Sequence, residues 1–168
     1  MILTLIEHED DVVNKATLEA LTFARGLAAE TDSPLNALVC GGDIYEFEDL
    51  LTEYGVVTVY HSDDDQLDEF APDAWAACIA HVIENEEVTA VITGGTERAN
   101  EVLGRAAARL NLPMCANVLS AEIDGDECTL QRVRWGGSLL EDATLEGDVK
   151  LMSVALHSLE GVPEEGED

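Results

Sequence analysis

Gly94-Gly95-Thr96 is the segment of this chain that comes nearest to a ligand-binding signature. It follows a run with strand character and precedes a helical pattern, and backbone N–H groups at such a turn can cradle a phosphate. The signature is incomplete: a Walker loop needs GxxxxGK with its lysine, a dinucleotide fingerprint needs GxGxxG after the first strand, and the chain has neither. The competing reading is a tight turn by which the chain leaves a sheet. The cysteines Cys40, Cys78, Cys115 and Cys128 stand 38, 37 and 13 residues apart, with no CxxC pair and no histidine at zinc-ligand spacing. They read as buried, reduced thiols, and the scattered His8, His61, His81 and His157 suggest no metal centre. There is no GxSxG motif, and carboxylates are too numerous for any one pair to be singled out as acid and base. An enzyme using Cys115 or Cys40 would need one of them to be a fast-reacting thiol.

Five of the eight basic residues, Arg98, Arg105, Arg109, Arg132 and Arg134, fall in one short part of an otherwise acidic chain. Arg105 and Arg109 are four apart and so share a helix face. The cluster fits a docking surface for an acidic partner or an anion, and it fits internal ion pairs with the abundant acids equally well. Trp135, between Arg134 and Gly136-Gly137, is expected to be a packed core residue beside a hairpin, the alternative being an exposed contact aromatic.

The charge excludes several classes of partner. In 168 residues, 36 Asp or Glu face 8 Lys or Arg, a formal charge of −28. Such a chain repels phosphate backbones and anionic membranes, so neither nucleic acid nor membrane insertion is expected. No apolar run approaches the ~20 residues that span a bilayer, and Met1–Asp10 lacks a basic leader region. A cytoplasmic location is expected. Acids run along the whole chain, with four in Glu7–Asp11, three in Asp63–Asp65 and four in Glu164–Asp168, while lysine occurs only at 15 and 150. This resembles the composition of salt-accumulating halophiles, in which concentrated salt screens the self-repulsion. Dialysis into low salt is expected to erode the far-ultraviolet circular dichroism; an unchanged spectrum would contradict the halophile reading.

The elements that must position these residues can be read from periodicity. With 46% apolar residues the chain can bury one core, and one domain is expected over 1–160, followed by an acidic tail, frayed or a severed linker, over 161–168. Strands are expected at Ile2–Ile6, Leu35–Cys40, Val56–Tyr60 and Val88–Thr93. They alternate with helices at Lys15–Glu30 (capped by Asn14), Ile44–Tyr54 (closed by Gly55), Asp73–Asn85 and Arg98–Asn111. Ser62–Glu69 reads as an exposed loop. From Met114 the pattern turns β-rich: Ala116–Ile123, Cys128–Trp135, Ser138–Thr144 and Val149–Leu156. The turns between them, Asp124-Gly125-Asp126, Gly136-Gly137 and Glu146-Gly147-Asp148, suit hairpins. The expected fold is a three-layer α/β sandwich with a mostly parallel central sheet, plus carboxyl-terminal antiparallel strands.

In this order the segments resemble the amino-terminal domain of electron transfer flavoprotein alpha subunits. Leu5-Ile6-Glu7-His8 followed by Ala16-Thr17-Leu18-Glu19-Ala20-Leu21 is similar to that family's first strand and helix. Thr96–Leu110, with Arg105 and Ala107-Ala108-Arg109-Leu110, resembles its Thr-x-x-Gly-Arg-Asp-Leu-x-Pro-Arg-x-Ala-Ala-Arg-Leu segment. Gln131-Arg132-Val133-Arg134-Trp135-Gly136-Gly137-Ser138 resembles Thr-Arg-Pro-x-Phe-Gly-Gly-Asn. The likeness runs from Ile2 to Leu159, with departures at Ala99, Asn100, Gly104, Val133 and Ala155-Leu156-His157.

The resemblance implies an adenine-nucleotide-alpha-hydrolase-like fold that performs no chemistry and holds no cofactor. In the full heterodimer FAD would lie mainly on a second domain outside this chain, which would then be a separated amino-terminal domain or a split subunit. It further implies packing against the beta subunit, with Arg105, Arg109, Arg132, Arg134 and Trp135 as contact residues. The whole complex would accept electrons from flavoprotein dehydrogenases and pass them to a quinone-linked acceptor. The reading from a different class is a stand-alone adenine-nucleotide-binding module of the universal-stress-like kind, with Gly94, Gly95 and Thr96 on the phosphates.

Overall fold

Ile2–Ile6 forms β1, and strict alternation sends Ile2 and Ile6 into one apolar layer and Leu3 and Leu5 into the other, all at most 1% exposed. A strand buried on both faces belongs in the middle of a sheet. In the computed structural model, which describes residues 1–164, β1 lies between β4 (Leu35–Cys40) and β6 (Ala90–Gly94), parallel to both. The full order is β5-β4-β1-β6-β10-β7-β8-β9, with β5 at Thr58–Ser62, β7 at Met114–Asp124, β8 at Glu127–Arg134, β9 at Leu139–Glu146 and β10 at Lys150–Val154. The pairs from β5 to β7 are parallel, and β7-β8-β9 is antiparallel.

Two helical layers complete the sandwich. On one face α1 (Lys15–Glu30) lays Ala20, Leu21, Ala24, Leu27 and Ala28 on the sheet, and α2 (Glu48–Glu53) adds Leu51. Asn14 caps α1 as expected, its side-chain oxygen accepting from the Thr17 N–H at 2.9 Å. On the other face α3 (Pro72–Asn85) and α4 (Glu97–Leu110) bury Trp75, Ile79, Val102 and Leu103.

Several expectations are corrected in detail. The helix expected at Ile44–Tyr54 is a 3-10 turn, Ile44–Glu46, followed by α2, because Phe47 at the joint is fully buried beneath His8. Gly55 does close it, at φ +86°. The next strand starts at Thr58 rather than Val56, since the Val56 N–H donates to Leu51 O, still serving the helix end. The Ser62–Glu69 stretch is not wholly exposed: a turn at Asp65–Leu67 tucks Leu67 under Trp75, whose Nε1 donates to the Leu67 carbonyl at 3.3 Å. Between β1 and α1 a small hairpin, β2 (His8–Glu9) and β3 (Val12–Val13), turns through Asp10 and Asp11 at φ +50° and +58°.

The largest correction concerns β10. Glu146-Gly147-Asp148 does not close a hairpin; β10 returns to the sheet centre, parallel between β6 and β7, with all five residues buried. The register shift in β7 between Val118 and Ser120, beside Asn117 at φ +59°, accompanies a return of the antiparallel ribbon toward the start of β10. There the Lys150 ammonium donates to Gly125 O at 2.9 Å, and the Gly147 N–H donates to Asp126 O at 3.1 Å. Of the tail expected over 161–168, Val162 exchanges hydrogen bonds with Thr22 and Arg25 of α1, and residues 165–168 lie outside the described residues.

Candidate functional site

In an open α/β sheet the binding crevice forms where neighbouring connections run in opposite directions. Here that point is between β1 and β6, whose carboxyl ends carry Glu7-His8 and Gly94-Gly95-Thr96. The Thr96 hydroxyl caps α4, accepting from the Ala99 N–H at 3.0 Å, and donates to Glu7 Oε2 at 2.6 Å. Both of its hydrogen-bonding roles are taken by the protein, and the partner is a carboxylate only 8% exposed. Gly94 admits the first turn of α1: a Cβ there would meet the Ala16 backbone at 3.0 Å. Gly95 lies directly against the Val154 carbonyl oxygen of β10. The glycines thus bring α1 and β10 close to the turn, which is the work of a tight exit from the sheet. At this turn the threonine hydroxyl is committed to Glu7.

Beside it, the ends of β1, β4 and β5 enclose an acidic basin of about 570 Å³ lined by His8, Asp10, Asp11, Asp43, His61, Asp63, Asp65 and Asp68 among others. Its wall is built by side-chain-to-backbone bonds: Asp11 accepts from the Asp43 N–H at 3.0 Å and Asp68 from the Gly42 N–H at 2.8 Å. His8 is buried at its back. The Nε2 bonds the Cys40 carbonyl at 2.8 Å, so the proton is on Nε2. The ring lies stacked on Trp75 (5.6 Å, 21°) and tilted against Phe47 (5.0 Å). Phe70 meets Trp75 edge-on, and the Arg98 guanidinium sits 5.0 Å over Phe70 while reaching Glu9 at 3.8 Å. This column fills the carboxyl end of the sheet with aromatic packing. It was missed in the sequence because only its spatial neighbours give His8 and Phe70 a role. Among the described residues no group of three or more His, Cys, Asp or Glu side chains is arranged to hold a metal ion.

The other four arginines singled out in the sequence divide into two places. Arg105 pairs with Glu101 at 2.9 Å and Arg109 with Asp73 at 3.2 Å, on the solvent side of α4. Arg132 and Arg134 both reach Glu141 across the β8–β9 ladder, at 2.7 and 3.4 Å. The Arg132 hydrogen bond and the two cationic charges hold the Glu141 carboxyl below its usual range. Arg132, Arg134 and Trp135 line a groove of about 870 Å³ together with Gly95, Asn117, Leu156 and His157. The expected packing of Trp135 is corrected: it is 78% exposed at φ +56°, because it opens a turn in which Gly136 and Gly137 are also left-handed, and none of the described residues covers it. Leu139 and Leu140 continue the exposed apolar surface at 53% and 63%. Cys40, Cys115 and Cys128 are buried and Cys78 is partly buried, all as free thiols.

Fold and site define a doubly wound three-layer α/β domain whose Thr96 turn is bonded to Glu7 and whose distinctive open surface lies on the antiparallel extension. An electron transfer flavoprotein domain is matched over residues 2–168, and the chain belongs to that family. It is 25% identical over 167 residues to the electron transfer flavoprotein subunit alpha of Mycobacterium tuberculosis, covering 98% of this chain and 50% of the relative. It is 28% identical over 142 residues to the lactate dehydrogenase (NAD(+),ferredoxin) subunit LctC of Acetobacterium woodii, 84% of this chain and 34% of that one. The subunit alpha of Bacillus subtilis is 23% identical over 140 residues, 83% of this chain and 42% of its own. The chain spans half or less of the length of these relatives. Among the described residues no helix is long and apolar enough to cross a membrane.

Proposed function

We propose that this domain is the structural support of an electron transfer flavoprotein alpha subunit, docking on the beta subunit while FAD is held mainly by a domain outside this chain. Electrons from flavoprotein dehydrogenases pass through the assembled complex, and this domain contributes position rather than redox chemistry. The observation that carries the reading is Trp135, a large aromatic held exposed in the left-handed region, where a bulky side chain is uncommon. Arg132 and Arg134, oriented by Glu141, flank it beside a groove. An aromatic with adjacent arginines is the composition of an interface hot spot. Arg105 and Arg109 extend the proposed contact onto α4. The commitment of the Thr96 hydroxyl to Glu7 and Ala99 argues against the stand-alone nucleotide module.

The test is titration of the chain against the beta subunit of the same organism, in concentrated salt. Trp135→Ala is expected to weaken association about 30-fold, the effect of losing a contact worth about 2 kcal/mol, with circular dichroism unchanged. Equal affinity of variant and native chain would remove Trp135 from the interface, and no association at all would remove the docking reading.

A further inference from the structure

β10 delivers the chain to the carboxyl end of the sheet, and the residues after it turn back. The Ser158 hydroxyl donates to the Ala155 carbonyl at 2.7 Å, with His157 between them in the left-handed region at φ +59°. Leu159 then packs against the apolar layer that α1 lays on the sheet. Gly161 lies directly on α1: a Cβ there would meet Leu18 Cβ at 2.7 Å and the Leu18 carbonyl carbon at 2.9 Å. Only a residue without a side chain lets the two backbones approach so closely.

From Gly161 the segment follows α1. The Val162 N–H donates to Thr22 Oγ1 at 2.9 Å, Arg25 Nη2 donates to the Val162 carbonyl at 2.9 Å, and the Glu164 N–H donates to the carbonyl of Glu53, the last residue of α2, at 2.7 Å. Arg25 Nη1 also donates to Tyr54 O at 3.4 Å, so one guanidinium joins α1, the end of α2 and the returning segment. In a chain crowded with carboxylates, Arg25 forms no ion pair within 4 Å among the described residues; it gives its donors to two backbone carbonyls. Leu18 to Arg25 rises about 10 Å along the helix axis, and the extended backbone from Gly161 to Glu164 covers about the same distance. Both α1 and α2 run from the carboxyl end of one strand toward the amino end of the next. Glu164 therefore lies toward the amino ends of the strands, whereas Gly95, Leu156 and His157 place the Trp135 groove at their carboxyl ends.

We propose that Gly161–Glu164 is a fixed strap, locked on α1 by Thr22 and Arg25, that leads the polypeptide from the carboxyl to the amino end of the sheet. Whatever follows Glu164 departs from the end of the domain opposite the Trp135 groove. Resting on the function proposed above, this keeps the connection to the FAD-holding domain clear of the surface that docks on the beta subunit. The strap also ties α1 to α2 through Arg25, so the lead moves with the helical layer and not as a loose linker.

The experiment is amide hydrogen exchange by NMR on the isotope-labelled full chain in concentrated salt. The Val162 and Glu164 amides are expected to exchange about tenfold or more slowly than in an unstructured peptide of the same sequence, and nuclear Overhauser contacts are expected from the Glu164 amide to Glu53 and Tyr54. Thr22→Val removes the acceptor of the Val162 N–H, and Arg25→Met keeps the apolar stem while removing the guanidinium. Each is expected to speed exchange at both amides about tenfold, with the amides of β1, β6 and β10 as slow as in the native chain. Both variants are expected to bind the beta subunit as the native chain does, unlike Trp135→Ala. Unprotected Val162 and Glu164 amides in the native chain, or protection that survives both substitutions, would overturn the strap. A loss of beta-subunit affinity on Arg25→Met as large as that on Trp135→Ala would overturn its placement away from the groove. Failure of the beta subunit to bind at all removes the docking reading alone, because exchange reads the strap without a partner. The native chain decides the strap by itself if either variant fails to fold.

Discussion

Gly95→Ala is expected to destabilise the domain by about 3 kcal/mol or more, the upper range for forcing an atom into a packed interior. The new methyl group would fall on the Val154 carbonyl oxygen, with Leu156 N 3.3 Å away. Backbone, unlike the end of a flexible side chain, cannot rotate aside. Either β10 shifts from β6, breaking the register that pairs Val154 with Gly94, or the turn moves and Thr96 loses its place between the Ala99 N–H and Glu7. Urea denaturation at constant high salt reads the effect as a lower midpoint. Gly104→Ala is the control, since its Cβ would find only Met114 Sδ at 3.8 Å inside α4; there alanine is expected to stabilise by roughly 0.5–1 kcal/mol. A Gly95→Ala midpoint equal to the native one would mean that the turn is not held against β10.

Trp75→Ala is expected to cost about 3–5 kcal/mol, the range for truncating a buried aromatic. Trp75 is 1% exposed and joins three segments: His8 stacks on it, Phe70 meets its edge, and the Leu67 carbonyl accepts from its Nε1. Removing it opens a cavity under the acidic basin and leaves the Leu67 carbonyl without its donor. Trp75→Phe separates the two contributions. It keeps most of the apolar volume, so its expected cost is about 1–3 kcal/mol, that of an unsatisfied buried acceptor. Equal destabilisation by Phe and Ala would show that the hydrogen bond, rather than the packing, governs the site.

Local pattern made most of the α/β body legible. Ile2–Ile6, Lys15–Glu30 with its Asn14 cap, and Leu35–Cys40 carry alternation, helical periodicity and capping chemistry that all agree, so no tertiary contact had to override them. Where local signals were weak the boundaries moved, as at Val56, whose N–H serves the preceding helix. The Asp10-Asp11 turn was missed because two aspartates mark a hairpin far less strongly than Asn-Gly.

Composition and order of elements were enough to define a mostly parallel sheet with a β-rich addition and a strongly acidic surface, because periodicity and charge are properties of the chain itself. Tertiary structure alone decided that β10 enters the sheet centre, since a turn motif specifies a change of direction and not which neighbour the next strand will find. It decided equally that the Thr96 hydroxyl is bonded to Glu7 and that Trp135 faces solvent. Each of these depends on residues distant in sequence, whose meeting is set by how the layers pack.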